Sequence, residues 1–275
     1  MLPDENPPFM IEQIKRTGTF SMDMDHMHDT YEIYYLLAGE RNYYVNNLVY
    51  ALRKGDLLFI NRNELHRTTA KGNVRHERIL INFGREFLAG LMASLPLALP
   101  FLHEQCLLLR PDDHDQGLIE NHLFTMLEEQ GAQRTGQTAY LQTLLVQLLI
   151  AMNRIRENAS EAIAPVHDEK RRKAYEITGY LQAHYTEKLT LGGLADTFYL
   201  SSTYLCRLFK QSTGFTIIEY LNTIRVQEAQ RRLRETDDKV TAIAEETGFD
   251  SIAHFGRVFK AITRRSPLQY RKQNR

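Results

Sequence analysis

Three histidines and one glutamate near the start of the chain have side chains that can bind a divalent metal. His26, His28 and Glu32 lie in one segment, and His66 follows in a second. Imidazole nitrogens and a carboxylate oxygen form an adequate ligand set for such an ion. In an extended strand, positions 26, 28 and 32 have the same parity, so their side chains can face one side. The spacing therefore predicts that these four residues share one polar site.

Three alternatives for this site stay open. The first is a divalent metal bound by the four residues. The second is a small polar effector, hydrogen-bonded by the same residues together with Tyr34 and Tyr43. The third is no ligand, with histidines that only satisfy buried neighbours. Arg41, His76 and Arg78 could also face the interior, but their parity cannot be followed through the turns.

A ten-residue pattern occurs twice in the C-terminal third, at residues 201–210 and 251–260. Both copies have serine, arginine, phenylalanine and lysine at the same places, and each follows a short apolar stretch and a turn. This arrangement predicts a helix-turn-helix unit in each copy. A plain helical hairpin is the usual alternative for a single unit. Duplication with the arginine in register, within a basic segment, favours a protein that binds DNA.

The two copies offer different side chains to DNA. Arginine can form a bidentate pair with guanine that is worth about 1–3 kcal/mol of discrimination, and we assign Arg207 and Arg257 to this role. Lys210 and Lys260 are assigned to phosphates, which position a protein without specifying sequence. The second copy otherwise offers mainly small and apolar residues, so we expect less base selectivity from it. The predicted DNA-binding set is Ser202, Thr203, Cys206, Arg207, Lys210, Ala253, His254, Arg257 and Lys260.

Residues 170–272 resemble the DNA-binding domain of the AraC/XylS transcription regulators. The resemblance is carried by the two repeats, by the segment 247–249 and by the ending at 265–271. It implies two helix-turn-helix units, joined by a long helix, that enter successive segments of the major groove. One departure is the pair Gly192-Gly193 in the first leading helix, where each glycine should cost about 1 kcal/mol relative to alanine.

The N-terminal part resembles the paired motifs of the cupin barrel. The first motif is His26-x-His28-x3-Glu32-x6-Gly39, and the second is Gly55-x5-Asn61-x-Asn63-x2-His66. Asn61 and Asn63 replace the usual proline and glycine. AraC-type regulators of this architecture similarly carry a cupin-like sensor, and the resemblance suggests a sugar or a related metabolite as effector. The alternatives are a metal-dependent cupin enzyme, such as an oxygenase or isomerase, and a metal-sensing regulator.

Hydrophobic periodicity locates the remaining elements. Residues 10 to about 85 form short segments that alternate with turns, as in an antiparallel barrel or sandwich. Helices are expected over 116–130 and 140–155, and the second has an apolar stripe. The stripe either packs on the barrel or pairs with the same helix of a second subunit as a dimer surface. Its members are Leu141, Leu144, Leu145, Leu148, Leu149 and Met152.

These elements predict an α+β multidomain protein. Residues 1–112 form a cupin-like effector-sensing barrel, 113–158 a helical dimerisation segment, 159–169 a linker, and 170–275 an all-α domain with two helix-turn-helix units. Helices in the last domain are expected over 169–185 and 216–234. The predicted helix caps are Thr190, Ser201, Thr216 with Glu219, and either Asp250 or Ser251.

Charge is distributed unevenly along the chain. Residues 168–275 contain 19 Lys and Arg against 13 Asp and Glu, a net charge of +6, and the chain total of 34 of each leaves −6 for residues 1–167. A basic domain attached to an acidic one suits a nucleic-acid binder with a separate sensing domain. The two cysteines lie in different predicted domains, which disfavours a disulfide.

The sequence has no signal peptide and no apolar run long enough to cross a bilayer. We therefore expect a cytoplasmic protein, not a membrane protein. Its expected partners are double-stranded DNA, a small effector and a second copy of the chain, with RNA polymerase as a further candidate. The divalent metal is the cofactor that the sequence suggests.

Overall fold

The chain divides into two compact units, one within residues 5–168 and one within 169–275. The expected helical segment 113–158 belongs to the same unit as the strands. Most of the expected linker 159–169 lies outside the described residues, and Val166–His167 is a short strand. The computed structural model describes residues 8–18, 20–22, 25–46, 48–71, 75–94, 99–132, 134–159, 166–167 and 169–273.

The first unit contains two antiparallel sheets. Strand order is β1-β7-β2-β5-β8 in the larger sheet and β6-β3-β4-β9 in the smaller one. The strands are β1 Phe9–Arg16, β2 Tyr31–Ala38, β3 Glu40–Val45, β4 Leu48–Arg53, β5 Leu57–Ile60, β6 His66–Ala70, β7 His76–Phe83, β8 Cys106–Leu109 and β9 Val166–His167.

Side chains of the larger sheet alternate between two cores, as the pleat of a strand requires. On β2, Ile33 and Tyr35 join a core shared with the helices, whereas Tyr34 and Leu36 join a core shared with the smaller sheet. Glu32 has the parity of the second group. The interior between the sheets therefore receives every second side chain from both sheets.

Helices cover the outer face of the larger sheet. They are α1 Arg85–Ser94, α2 Asp113–Ala132 and α3 Gln137–Asn158, with a 3₁₀ turn at Pro100–His103. The apolar stripe of α3 is buried in the same core as Ile33 and Phe59. Among the described residues, no helix combines the length and apolar character needed to cross a membrane.

This burial corrects one sequence expectation. The six stripe residues pack inside the first unit and are not available as a surface for a second subunit. The alternative, in which the stripe packs on the barrel, describes the structure. The side chains concerned are Leu141, Leu144, Leu145, Leu148, Leu149 and Met152, each at most 7% exposed.

The described elements of the second unit are helices, which confirms the expected combination of a β-rich and a helical domain. Thr190, Ser201, Thr216 and Ser251 each accept a backbone N–H at a helix start, and Thr216 forms a capping box with Glu219. The helices are α4 Glu169–Ala183, α5 Leu191–Phe198, α6 Ser202–Thr213, α7 Ile217–Glu235, α8 Val240–Glu246, α9 Ile252–Thr263 and α10 Pro267–Gln273.

Candidate functional site

The three histidines and the glutamate meet between the two sheets. One potential ligand atom from each of His26, His28, Glu32 and His66 lies within 4.8 Å of the others. Strand β2 begins at Tyr31, so the two N-terminal histidines are not on the strand of the glutamate, contrary to the parity argument. His26 instead joins the site through a backbone bridge to His66, with N–H···O distances of 3.0 and 2.9 Å.

Backbone carbonyls fix the proton positions on two of these histidines. His28 Nδ1 lies 3.0 Å from the Thr30 carbonyl oxygen, and His66 Nδ1 lies 2.8 Å from the Glu64 carbonyl oxygen. A carbonyl can only accept, so each Nδ1 carries a proton; the Thr30 hydroxyl, 2.8 Å from His28 Nδ1, accepts from it as well and donates to Asn82 Oδ1. The opposite Nε2 atoms face Glu32 Oε2, at 3.3 Å from His28 and 3.5 Å from His66. With the proton on Nδ1, each Nε2 has a lone pair that faces the carboxylate. Either a proton or a cation must therefore lie between each Nε2 and Glu32.

Electrostatics favour a carboxylate paired with an imidazolium in the absence of another cation. Burial alone would raise the pKa of Glu32, but the charge of His66 and the hydrogen bond from His28 outweigh it and hold that pKa well below its ordinary value. Burial alone would lower the pKa of His66, but Glu32 raises it. Burial and the charge of His66 lower the pKa of His26 to about 3. The pair formed by Glu32 and His66 therefore carries one shared proton.

Two tyrosines extend the polar site. The Tyr43 hydroxyl donates a hydrogen bond to Glu32 Oε1, and burial followed by the charge of Glu32 raises the pKa of Tyr43 well above its usual value. The Tyr34 and Tyr43 rings lie edge to face with centroids 5.0 Å apart. Both tyrosines therefore lie in the interior near the glutamate, and both are neutral hydroxyl groups at ordinary pH; their contact with an effector stays a prediction.

The structure answers the parity question for three further residues. Arg41, His76 and Arg78 all face the interior between the sheets, with Arg41 and His76 at 1% and 3% exposure. His76 pairs with Arg16 in the β1–β7 register, and this adds a residue that sequence reasoning missed. The register of β1 against β7 would have been the signal, but five strands separate the two along the chain, so no local pattern specifies it.

Asn63 shows why one departure from the cupin motif is tolerated. This residue occupies the motif's glycine position and has φ of 64°, the left-handed region. Asparagine enters that region more readily than most residues with a side chain. Asn61, in the proline position, donates hydrogen bonds of 2.9 Å to the carbonyls of Leu102 and Glu104.

The second unit presents its two repeats in matching exposure patterns. Residues 201–210 and 251–260 follow the same order of exposed, intermediate and buried positions. Arg207 and Arg257 are exposed in the two equivalent helices, α6 and α9. Ser202, Thr203, Lys210, Ala253, His254 and Lys260 are also exposed, and Cys206 is half-buried.

The two repeats differ in the partners of their lysines. Lys210 Nζ lies 3.7 Å from Glu219 Oε2, the carboxylate of the capping box on the next helix. At the equivalent place after the second repeat, Gln269 caps Ser266 without a charge. An exposed ion pair of this kind is weak, so Lys210 can exchange it for a phosphate.

Two exposed aromatic residues lie in the first helix-turn-helix unit and were not predicted as part of the DNA-binding surface. Tyr204 is 43% exposed, and its ring centroid lies 5.5 Å from the guanidinium carbon of Arg207. Tyr199 is 95% exposed in the turn before α6, with φ of 57°. The exposed ring of Tyr204 therefore lies beside the guanidinium group of Arg207 on the surface of α6.

Comparison with known proteins covers both units. A family model described as a helix-turn-helix domain matches residues 194–273, and one described as an AraC-like ligand binding domain matches residues 13–149. The first match contains both repeats, and the second contains the histidine cluster together with Arg41, His76 and Arg78.

Curated relatives align over nearly the full chain. The HTH-type transcriptional activator RhaS of Escherichia fergusonii is 30% identical over 257 residues, which cover 90% of this chain and 87% of the relative. RhaS of Pectobacterium atrosepticum is 28% identical over 261 residues, covering 90% and 88%. Among solved structures, an apo ToxT variant from Vibrio cholerae matches with a TM-score of 0.45 and 14% identity, covering 99% of this chain and 100% of that chain.

Proposed function

Because this chain belongs to the AraC family of transcription regulators, we propose that it activates transcription when a small polar effector binds between the two sheets of its first unit. The chain is a DNA-binding regulator rather than a cupin enzyme. The relatives named above are activators, which supports activation as the direction of control. Sugars remain among the effectors to test, and the proposed place of action is the cytoplasm.

One observation carries the effector proposal. Polar side chains from four strands converge in an interior where apolar residues would otherwise be expected. Buried polar groups are costly unless they are paired, so such a cluster is retained where a ligand completes it. The convergent groups are Glu32 and Tyr34 on β2, Arg41 and Tyr43 on β3, His66 on β6, and His76 and Arg78 on β7.

Effector binding is tested with the full chain against a panel of metabolites. A ligand of the interior should raise the melting temperature and change the affinity for the target promoter, because the two equilibria are linked. Tyr43→Phe removes one hydroxyl from the site and should weaken the response. Tyr44→Phe, on the opposite face of the same strand, provides a matched control outside it. A DNA affinity that no effector changes would refute this part of the proposal.

In the DNA-binding unit, the proposed division of roles is that Arg207 and Arg257 contact bases while the lysines contact phosphates. Arg207→Ala should relax base preference within one half of the site, at a cost of about 1–3 kcal/mol for the preferred sequence. Lys260→Ala should weaken all sequences alike and lower the salt slope by about one. Lys210→Ala should lower the salt slope by less, because Glu219 already pairs with this lysine. A base-specific loss in Lys260→Ala would reverse the assignment.

A metal-sensing regulator is the second candidate function, favoured by the fixed proton positions on His28 and His66. Both histidines present Nε2 lone pairs toward Glu32, and hydrogen bonds from Nδ1 to carbonyls are the usual outer contacts of metal-binding histidines. His26 completes a set of four ligands. A bound cation would replace the shared proton, so affinity should rise with pH.

The metal hypothesis is tested by adding Zn²⁺, Mn²⁺ or Ni²⁺ to chelator-treated protein. Stoichiometric binding should raise the melting temperature, and Glu32→Gln should lose the effect. His254→Gln, in the other unit, serves as a control for surface histidines. Equal binding by wild type and Glu32→Gln would exclude the cluster as the metal site.

We retain a homodimer and a contact with RNA polymerase as parts of this proposal. The dimer must use residues other than the buried stripe of α3. Exposed apolar side chains of the first unit include Leu118, Phe124 and Tyr140, which are 39–47% exposed. Sedimentation analysis of Leu118→Glu and Phe124→Glu variants tests this surface, and unchanged dimers in both would place the interface elsewhere.

A further inference from the structure

Three arginines and a histidine occupy one part of the interior between the sheets. Arg16 and His76 are register partners on β1 and β7, and Arg78 lies two residues further along the same face. Arg41 comes from β3 of the opposite sheet and is 1% exposed. Its Nε donates to Thr68 Oγ1 at 3.1 Å, and its Nη1 donates to the Phe20 carbonyl at 2.8 Å.

Among the residues that the structure describes, no carboxylate pairs with these basic groups. Buried nitrogen atoms of all four residues have no hydrogen-bond acceptor among the described residues: Arg16 Nε, Arg41 Nη2, His76 Nδ1 and Arg78 Nε. The other contacts of the arginines are with neutral groups, which include the Thr68 hydroxyl, the Phe20 carbonyl and aromatic rings. Arg16 lies 3.9 Å from the Phe20 ring centroid, and Arg78 lies 5.3 Å from that of Tyr34.

Other buried or half-buried arginines of the same chain have carboxylate or backbone carbonyl partners. Arg62 pairs with Asp29 at 3.0 Å, and Arg67 lies 3.5 Å from Asp25. Arg225 donates to two backbone carbonyls at 2.7 and 2.8 Å. Single buried nitrogens of Arg62 and Arg67 also lack an acceptor, but both of these arginines have a carboxylate beside them, which the described residues do not provide to the interior cluster. Uncompensated buried charge is expensive, and it is tolerated where a binding partner supplies the opposite charge.

Electrostatic shifts agree with an excess of positive charge. Burial lowers the pKa of His76 to about 4, and the charges of Arg41, Arg78 and Arg16 add to the effect. Burial also lowers the pKa of Arg41, opposed by Tyr34 and assisted by Arg78. Glu32, a buried carboxylate of the same interior, is already engaged by Tyr43, His28 and His66.

We infer that Arg16, Arg41, Arg78 and His76 form an anion subsite, and that the effector carries a carboxylate or phosphate group held there. The inference rests on the proposed effector role of this interior. Guanidinium groups bind both anions through charge-assisted hydrogen bonds. Tyr34 and Tyr43 connect the arginines to the glutamate and histidines, which can bind hydroxyl groups of the same molecule. The favoured class is thus a polyhydroxylated acid or a phosphate ester, and a neutral sugar leaves the arginines uncompensated.

The test uses the full chain and simple anions first. Calorimetric titration with sulfate, at ionic strength held constant with chloride, should show binding by the wild type. Arg78→Gln should bind at least about tenfold more weakly, as expected for the loss of one charge-assisted hydrogen bond. Arg85→Gln removes a charge from an exposed position of the same unit and should bind like the wild type. If Arg78→Gln does not fold, Arg16→Gln at the end of β1 provides the same comparison.

Equal sulfate affinity in Arg78→Gln and wild type would overturn the subsite, as would no binding by the wild type. Acetate and phosphate titrations then identify the preferred anionic group, and either preference supports the subsite. Glucuronate, glucose 6-phosphate and glucose are finally compared for their effect on promoter affinity. If only glucose changes it, the effector proposal stands and the anion inference fails. If anions bind through Arg78 but none changes promoter affinity, the subsite stands and the effector proposal fails.

Discussion

Gly248 occupies the turn of the second helix-turn-helix unit in a conformation that a side chain would strain. Its φ is +85°, and a Cβ atom there would lie 2.6 Å from the Tyr185 carbonyl oxygen and 3.0 Å from two nitrogens of Arg225. Those nitrogens donate to the carbonyls of Tyr185 and Glu187 at 2.7 and 2.8 Å. Gly248→Ala therefore disturbs both the turn and the arginine that ties α7 to the segment after α4.

The cost can be estimated from these contacts. The left-handed conformation costs about 1 kcal/mol for a residue with a Cβ atom. Loss of one hydrogen bond from a charged group adds about 1.5–3 kcal/mol, and the close carbonyl oxygen is backbone that cannot rotate away. The substitution should thus lower the free energy of unfolding of the second unit by about 2.5–4 kcal/mol.

Hydrogen exchange with mass spectrometry on the full chain measures this effect where it occurs. Amides of residues 243–260 should exchange faster in Gly248→Ala by the factor that the free energy change implies. Gly256→Ala is the matched control, because its Cβ atom would meet nothing within 4 Å in the middle of α9. That control should be neutral or more stable by up to about 1 kcal/mol. Equal exchange in the two variants would refute the reasoning.

Three further predictions concern stability. Gly192→Ala should stabilise α5 by about 1 kcal/mol in thermal unfolding, because the site is open space; a loss of stability would show an unrecognised role for this glycine. Thr216→Ala removes the capping box of α7 and should cost about 1 kcal/mol; an unchanged melting temperature would contradict it. His76 has a folded pKa of about 4 against 6.5 for the unfolded chain. Stability should therefore fall by up to about 3 kcal/mol as pH drops from 6.5 to 4, because only the unfolded state gains this proton. His76→Gln should lose less stability than the wild type between pH 6.5 and 4. An equal loss in the two proteins would exclude His76 as the cause.

Local sequence patterns specified the second unit well. Ser201, Ser251 and Thr216 cap the helices they were predicted to cap, because a cap depends on residues within one turn. The register of Arg207 with Arg257 was likewise visible in the repeat, and both are exposed.

The interior of the first unit was less predictable because its composition depends on strand register. The helix stripe of α3 had two possible partners with the same apolar chemistry, and only tertiary packing distinguishes a sheet from a second subunit. His26 reaches the cluster through a bridge to His66, a contact between distant segments that no local period encodes. Arg16 was missed for the same reason, since its place in the interior follows from pairing with His76.

Both candidate sites contain arginines that no carboxylate of the described residues neutralises, but the consequences for stability differ. Arg207 and Arg257 are exposed, so water solvates their charge and DNA binding need not change the folding of the unit. Arg41 is buried, so its missing acceptor destabilises the first unit until a ligand supplies one. An effector at a hundred times its Kd would stabilise that unit by about 2.7 kcal/mol. Effector binding should consequently be visible as stabilisation of the first unit even before any promoter is known, which makes the interior the more accessible of the two sites to experiment.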